Sequence, residues 1–241
     1  MSARALVTVL CLSFCGVALA DAPRVAIIID DMGYHLGNGQ RAIQLPGAVS
    51  FSFLPGAPRA RALAELAHEL GKDILLHLPL QAINDETEAE PAEIRIDMSR
   101  ARVGHVFDQA LGSVPHVIGI NSHRGSLLTR HPGQMQWLME EIRERDTLFF
   151  IDSYTHHESV ALQIARENGI EALKRDVFLD PDPSPEAVAR EFERMKALAK
   201  ERGRVLAIGH PYPATLDLLE RELPRLADEG LELVRVSELL R

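Results

Sequence analysis

The sequence predicts an α/β protein whose parallel strands close into a complete or incomplete barrel. After Arg24, short apolar runs alternate with segments of helical spacing, and this alternation is typical of right-handed βαβ crossovers. Several of these runs end in residues able to bind a metal or move protons, and in parallel α/β proteins the functional site lies at the carboxyl ends of the strands. A doubly wound open sheet is the competing architecture.

The strand candidates are nearly continuous apolar runs, as expected for parallel strands that are buried on both faces. They are Val25–Ile29, Ala48–Phe53, Asp73–Leu78, His116–Ile120, Thr147–Ile151, a weak Glu171–Arg175, Arg204–Ile208 and Leu231–Val236. Seven or eight runs with no evident reversal of chain direction favour a barrel over an open sheet.

Between the strands, apolar residues recur at the three- and four-residue spacing of helices. Helices are predicted over Pro58–Leu70, which Gly71 closes, over Ser99–Leu111 and after Pro132. A longer helix begins at Pro185, with Ser184 as its N-cap. The last predicted helix contains Leu216, Leu219, Leu223 and Leu226 on one face.

Residues 1–20 are predicted to be a secretory signal peptide. Arg4 supplies a positive charge, an apolar stretch follows it, and Ala18-Leu19-Ala20 forms a small-x-small cleavage pattern. The stretch is short for a membrane span, and an uncleaved anchor is the alternative. Cleavage near Ala20 predicts an exported protein, periplasmic or extracellular, with residues 21–241 as a single domain.

Composition excludes several classes of function. Both cysteines, Cys11 and Cys15, lie in the predicted signal peptide, so the mature chain is expected to have neither a disulfide nor a thiol nucleophile. Of the 26 basic and 35 acidic side chains, only Arg4 lies in residues 1–20. The mature chain is therefore acidic and has no marked basic cluster, which argues against nucleic acid and anionic lipid as partners.

Asp30-Asp31 ends the first apolar run and is the strongest local signal of chemistry. Adjacent carboxylates repel each other and lose hydration at a strand end, so a cation or hydrogen-bond donors must compensate them. A divalent metal held by one carboxylate leaves the other free as a general base. In the alternative interpretation, one aspartate caps the next helix and the other is solvated.

His77 lies in the apolar stretch LLHLPL, where a lone histidine is more often a hydrogen-bonded core residue than a ligand. His123, in the segment NSHRGS after the next strong strand, changes this expectation, because neighbouring parallel strands lie about 5 Å apart. Asp31, His77 and His123 are therefore predicted to converge on one metal ion. Two histidines and one carboxylate leave an open position for water, as in catalytic zinc sites.

His210, in AIGHPYP, ends a late strand, and the proline that follows it favours an extended backbone. It is predicted either to protonate a leaving group or to cap the barrel. Further polar residues near strand ends are candidates for substrate contact or for support of the metal ligands: Asn121, Ser126, Asp152, Ser153, Arg175 and Asp176. Ser126 is not expected to be a nucleophile, because the G-x-S-x-G setting is absent. A structural ion pair is the alternative for Arg175-Asp176.

The segment Gln81–Met98 is acidic and lacks helical spacing. A loop of this length at the catalytic end of a barrel is often a lid or a substrate wall, and a solvated insertion is the alternative. The pair His156-His157 follows another strand end and is a further candidate for substrate contact, although the surface is the default position for these and the remaining histidines.

At these residues the chain resembles the divergent polysaccharide deacetylase family, a branch of the NodB-type carbohydrate esterases. The resemblance runs from about Arg24 to the C-terminus and rests on six motifs in order: AIIIDDMGY, ILLHLPLQ, VIGINSHRGS, FFIDS, KRDVFLD and AIGHPYPAT. It implies a distorted (β/α) barrel of about seven parallel strands with a divalent metal, commonly zinc. By resemblance, Asp30 matches the catalytic base, Asp31 the metal-binding aspartate and His210 the general acid.

The chain also departs from the superfamily pattern. His77 matches the first histidine of the usual H-x-x-x-H metal motif, but Gln81 stands where the second histidine is needed. His123 is therefore the predicted replacement. The arginine-proline-aromatic motif and the paired-aspartate-tryptophan motif are absent as well, and their roles fall to Asn121, Asp152 and Arg175.

Residues and resemblance together predict a metal-dependent hydrolase that removes N- or O-acetyl groups from an envelope or extracellular polysaccharide. In this mechanism a metal-activated water attacks the acetyl group, Asp30 is the base and His210 is the acid. A non-catalytic envelope factor that binds glycan or protein on the same fold is the first alternative. Another metal hydrolase, such as an amidase or phosphodiesterase, is the second, because an Asp/His/His centre does not dictate the bond cleaved.

Overall fold

The computed structural model describes residues 22–83, 90–145 and 147–241. The predicted signal peptide therefore lies outside the described residues, as do residues 84–89 of the Gln81–Met98 loop. Within the described ranges, no helix is both long and apolar enough to cross a membrane.

Strands and helices alternate along the chain, as the apolar pattern predicts. The described ranges contain nine strands: β1 (Arg24–Met32), β2 (Ser50–Phe53), β3 (Ile74–Leu80), β4 (Gly119–Arg124), β5 (Phe149–Asp152), β6 (Ala172–Lys174), β7 (Val177–Phe178), β8 (Arg204–Gly209) and β9 (Glu232–Leu233). The helices of the same ranges are α1 (Leu36–Ile43), α2 (Ala60–Glu69), α3 (Arg100–Ser113), α4 (Pro132–Arg143), α5 (Ala161–Glu167), α6 (Pro185–Arg202), α7 (Pro213–Glu222) and α8 (Val236–Leu239).

All the strand pairs are parallel, and the order across the sheet is β6-β5-β4-β3-β2-β1-β8-β7, with β9 beside β1. Only Arg175 and Asp176 separate β6 from β7, the two ends of this path. The backbone N–H of Arg175 donates to Asp152 O in β5, and that of Asp176 donates to Leu206 O in β8. Two consecutive residues thus join opposite ends of the sheet, so the fold is a distorted (β/α) barrel, as the sequence resemblance implies.

The predicted limits of several elements are wrong. The fourth strand is not His116–Ile120 but β4 (Gly119–Arg124), because its polar half continues in register with β3, with His77 opposite Asn121. The predicted last strand, Leu231–Val236, shortens to β9, and Val236 begins α8. The short elements α1, α5 and β7 were not expected, since none is long enough to show a clear period.

The interior of the barrel has an apolar floor and a polar mouth. The floor is a cluster of buried residues that includes Ala26, Ile28, Leu75, Phe149, Ile151, Leu206 and Ile208, closed from below by Val236 and Leu239 of α8. Strand residues two apart share a face. Two residues farther along each chain segment, the same inward faces therefore carry Asp30, His77, Ser153 and His210.

Gly119 at the start of β4 is fixed by the packing of this floor. A Cβ at position 119 would lie 2.3 Å from the ring of Phe149 in β5. Phe149 therefore fills the space that a side chain at position 119 would occupy, between β3 and β5 on either side of β4.

Candidate functional site

A β-bulge turns both Asp30 and Asp31 toward the mouth of the barrel. Consecutive residues of a regular strand face opposite sides, but the pairing of β1 with β2 shifts register between Ile29 and Met32. Asp31 has φ 55°, a left-handed conformation that is uncommon outside glycine and typical of functional sites. As a result, the carboxylates of Asp30 and Asp31 lie 3.6 and 3.3 Å from the same nitrogen, Nε2 of His77.

Three ligand atoms converge beside this bulge. Asp31 Oδ1 lies 3.3 Å from His77 Nε2 and 3.1 Å from His123 Nδ1, and these two nitrogens are 3.1 Å apart. Ligands of a tetrahedral zinc ion, bonded at about 2.0–2.1 Å, are separated by about 3.3 Å. The arrangement of the three atoms therefore matches one face of a zinc coordination tetrahedron.

The hydrogen bonds around the two histidines direct lone pairs at this point. His77 Nδ1 lies 2.8 Å from Asn121 Oδ1 and donates to it, because the amide nitrogen of Asn121 is used on Asp30. His123 Nε2 lies 3.2 Å from a carboxylate oxygen of Glu90. In the neutral form of each ring, a proton on the side of Asn121 or Glu90 leaves the nitrogen that faces Asp31 as an acceptor, as in metal-binding histidines with outer-shell partners.

Asp31 Oδ1 is buried and has no hydrogen-bond donor among the described residues, despite the two nitrogens near it. Three electron pairs directed at one point repel each other unless a cation lies between them. Two imidazoles and a carboxylate are the donors that catalytic zinc uses, with one position open. The residues present thus fit a divalent metal.

The two adjacent aspartates have different electrostatic environments. Burial raises the pKa of Asp30, and the neighbouring His77 and His210 counter this only in part. Burial also opposes ionisation of Asp31, but the His123 and His77 rings outweigh it and hold the pKa of Asp31 well below its usual range. Titratable groups with pKa values pushed apart in this way are typical of an acid–base pair with separate roles. Asp31 suits a permanent ligand and Asp30 a proton acceptor.

His77 carries the proton when no cation is present. Its complete burial lowers the pKa, but the carboxylates of Asp30 and Asp31 reverse this effect and raise the pKa of His77 to about 9. A cation at the same point competes with this proton.

His210 faces the site from β8 and is held by a carboxylate that the sequence did not single out. Asp180, buried just after β7, accepts hydrogen bonds from the backbone N–H of His210 at 2.7 Å, from His210 Nδ1 at 2.9 Å and from Thr215 Oγ1 at 2.7 Å. Nε2 of His210 is left facing Asp31 Oδ2 at 3.6 Å. Burial lowers the pKa of His210, but Asp180 and Asp30 outweigh it and the net shift is upward.

A cavity of about 170 Å³ opens between these groups. It is lined by Asp30, His77, His123, Ser153, Arg175 and His210, together with Ser122, Arg124, Thr155, Phe178 and Ile208. Of the candidates for substrate contact, Ser153 and Arg175 therefore line the cavity. Asn121 is buried behind it and links Asp30 to His77.

Three of the predicted site residues lie elsewhere. Asp152 accepts from Ser159 Oγ and from the backbone N–H of Tyr154, so it holds the loop after β5. Ser126 accepts from the backbone of Ile83. Asp176 accepts from the backbone N–H of Leu206 at the seam of the barrel and lies 3.7 Å from Arg202.

Sequence reasoning missed two carboxylates that position histidines, Asp180 and Glu90. Asp180 follows the β7 run in KRDVFLD, and its position at a strand end was a usable signal. Glu90 lies in the acidic loop after β3, where nothing in the local pattern distinguishes it from its neighbours. The pair His156-His157 is stacked on the loop after β5 and is absent from the cavity lining.

The chain matches a protein family and several known proteins over most of its length. Residues 27–240 match the model of the divergent polysaccharide deacetylase family. The uncharacterized protein YibQ of Escherichia coli K12 is 36% identical over 219 residues, which cover 91% of this chain and 68% of that protein.

Two solved structures have a similar fold. An uncharacterized protein from Agrobacterium tumefaciens C58 aligns with TM-score 0.87 and 20% identity, over 92% of this chain and 91% of that one. The peptidoglycan deacetylase PdaC from Bacillus subtilis aligns with TM-score 0.53 and 11% identity, over 90% of each chain. With the family match over nearly the whole described barrel, the chain belongs to the divergent polysaccharide deacetylase family.

Proposed function

We propose that this protein is an exported, metal-dependent hydrolase that removes acetyl groups from an envelope or extracellular polysaccharide. The observation that carries the proposal is the three-atom cluster of Asp31, His77 and His123, flanked by a carboxylate with a raised pKa and by a histidine with a raised pKa. The family match and the barrel fold support a polysaccharide as substrate.

Asp31, His77 and His123 would hold the cation, and zinc suits this donor set best. A divalent cation supplies polarisation of the acetyl carbonyl and lowers the pKa of water toward about 7. The protein contributes the orientation of its ligands, since Asn121 fixes the ring of His77 and Glu90 the ring of His123. Such outer-shell partners typically account for a 10- to 100-fold difference in metal affinity or activity.

Asp30 is the proton acceptor of this mechanism. Its Oδ1 accepts from Asn121 Nδ2 at 2.8 Å, which fixes the carboxylate toward the cavity. Because burial raises the pKa of Asp30, the carboxylate is a stronger base than an exposed aspartate, and a base with a pKa nearer the working pH is more effective. It takes the proton from water as the water attacks the acetyl carbon.

His210 is the proton donor. Asp180 binds its Nδ1, so Nε2 is the nitrogen that delivers a proton into the cavity. The upward shift of its pKa favours the protonated ring, the form that a general acid requires. The proton passes to the amine or alcohol that departs when the acetyl bond breaks.

The dimensions of the cavity agree with this reaction. Its volume of about 170 Å³ is below the roughly 300–1,000 Å³ of pockets that enclose a whole ligand. The cavity therefore suits a small substituent such as acetyl, with the sugar chain outside it.

The test is acetate release from acetylated oligosaccharides by the zinc-loaded protein and by its Asp30→Asn variant. We expect Asp30→Asn to keep one zinc per chain and to lose about 10²- to 10⁴-fold in turnover, the usual contribution of a general base. Unchanged turnover in Asp30→Asn removes Asp30 from this role. No acetate release by the zinc-loaded wild type across N- and O-acetylated glycans favours a non-catalytic envelope factor that binds glycan or protein.

A further inference from the structure

A second concavity adjoins the cavity at the seam of the barrel. This basic groove has a volume of about 470 Å³ and is lined by Tyr154, Lys174, Arg175, Phe178, Arg194 and Arg202, with Asp176, Glu191 and Pro181 completing its wall. Arg175 and Phe178 line both the basic groove and the site cavity. A polysaccharide whose acetylated sugar is bound at the site cavity can therefore place a neighbouring sugar in the basic groove. The volume of the groove lies in the range of ligand pockets.

The charge of the basic groove is opposite to that of the protein. The chain has a formal net charge of −9, whereas four cationic and two anionic side chains line the groove. A concave surface with an excess of one sign raises the local concentration of ligands of the other sign.

Two of the four cations are held by aromatic rings. The Lys174 ammonium lies 4.0 Å from the centre of the Tyr154 ring, and the Arg175 guanidinium lies 4.5 Å from that of Phe178. No salt bridge joins Lys174 or Arg175 to a carboxylate of the described ranges. A π face stabilises a cation without cancelling its charge, so both side chains keep their charge available to an anion.

Arg175 is also fixed in place. Its Nε donates to Ser153 O at 2.6 Å, and its Nη2 donates to Tyr154 O at 3.2 Å. Burial lowers the pKa of Arg175, and nearby acidic groups counter this only in part. An anion in the groove would offset the remaining effect of burial on the Arg175 cation. It would also form charge-assisted hydrogen bonds with the planar guanidinium.

Arg194 and Arg202 stand at the outer edge. Arg194 lies 3.0 Å from Glu191 and Arg202 lies 3.7 Å from Asp176, and both arginine side chains are 54% exposed. Exposed ion pairs of this kind contribute little to stability, so both guanidinium groups can turn to an anionic ligand at small cost.

We propose that the basic groove binds an anionic substituent, a carboxylate or a phosphate, on the sugar next to the acetylated one. The substrate class is then an acidic rather than a neutral acetylated glycan. This inference deepens the proposed function and rests on it for the identity of the neighbouring sugar, but the groove itself is a binding site that can be tested without turnover.

The experiment is calorimetric titration of the zinc-loaded protein with three tetrasaccharides. One is chitotetraose, which is neutral, the second alternates N-acetylglucosamine with glucuronate, and the third is chitotetraose with a 6-phosphate. We expect an acidic tetrasaccharide to bind about 5- to 12-fold more tightly at low salt, since two or three charge contacts of about 0.5 kcal/mol each give this ratio. Added salt should reduce the preference, and the tighter acidic ligand identifies the substituent.

Variants assign the preference to the groove. Lys174→Ala combined with Arg194→Ala should reduce the Kd for the neutral ligand divided by the Kd for the acidic ligand to a value between about 1 and 3. Lys174→Arg should retain most of this preference. Lys200→Ala is the control for the loss of a positive charge, since it removes one such charge from an exposed position of α6 outside the groove, and it should leave the ratio unchanged.

Equal binding of all three tetrasaccharides, or an equal loss of preference in Lys200→Ala, overturns the inference. Failure of the proposed function gives a different result. A protein that prefers acidic tetrasaccharides but releases no acetate supports the anion-binding groove and contradicts the hydrolase proposal. A protein that deacetylates neutral and acidic oligosaccharides equally supports the hydrolase proposal and contradicts the anion-binding groove.

Discussion

Replacement of His123 by alanine is the sharpest test of the metal site. His123 Nδ1 supplies one of three ligand atoms that lie 3.1–3.3 Å apart. Loss of even an outer-shell partner weakens metal binding about 10- to 100-fold, so loss of a ligand should weaken it by more than about 100-fold. His105, exposed on α3, provides the control His105→Ala.

The effect on stability follows from mass action. Zinc at 100 times its dissociation constant stabilises the folded wild type by about 2.7 kcal/mol. For a domain of this size each kcal/mol raises Tm by about 2–4 °C, so the wild type should gain roughly 5–10 °C. In His123→Ala the same zinc concentration is at most about equal to the dissociation constant, which leaves a gain of about 0.4 kcal/mol, or roughly 1 °C.

The assay combines thermal unfolding, with and without zinc, and metal analysis of the dialysed protein. We expect one zinc per chain and the full Tm shift in the wild type and in His105→Ala, and neither in His123→Ala. A His123→Ala protein that retains one zinc per chain and the full shift refutes the assignment of His123 as a ligand.

Three other predictions follow from the site and the barrel floor. Asp180→Asn should lower turnover about 10- to 100-fold and move the alkaline limb of the pH–rate profile to lower pH. The limb should move because Asp180 raises the pKa of His210 and His210 acts in its protonated form. An alkaline limb at the wild-type pH contradicts this. Zinc binding at pH 7 should release about one proton, because the pKa of His77 without metal is about 9 and zinc requires the neutral ring. Calorimetry in buffers of different ionisation enthalpy measures this number. Release of no proton argues against His77 as a ligand. Gly119→Ala should lower the free energy of unfolding, measured in urea, by about 1–3 kcal/mol through overpacking. The control is Gly37→Ala on α1, where no atom lies within 4 Å of the added Cβ, and it should not destabilise the protein. Equal stability of the two variants contradicts the packing argument.

The long elements could be predicted from sequence because each carries its own periodic signal. The strand predicted over Arg204–Ile208 is one residue shorter than β8, because it is a continuous apolar run. The start of α6 was predicted at Pro185, from its N-terminal proline and the apolar positions at helical spacing that follow. The end of β4 could not be read in this way. Asn121 and His123 are polar, and only their pairing with β3 makes them strand residues.

The site divides along the same line. Residues that end an apolar run, such as Asp30, His77 and His210, were visible in the sequence, because a polar group at the end of a buried strand needs a compensating partner. Their partners were not visible. Asp180 reaches His210 from 30 residues away and Glu90 reaches His123 from a loop, and such contacts depend on how strand ends are brought together.

By itself, the sequence determined that strands and helices alternate, that the strands are parallel, and which side chains stand at the strand ends. These properties depend on hydrophobic periodicity, which is local. The tertiary structure alone decided that Asp30 and Asp31 share one side through a bulge, that histidine lone pairs converge on Asp31, and that the barrel closes at Arg175 and Asp176. Each of these features depends on register and backbone dihedral angles set by distant strands, which no local pattern records.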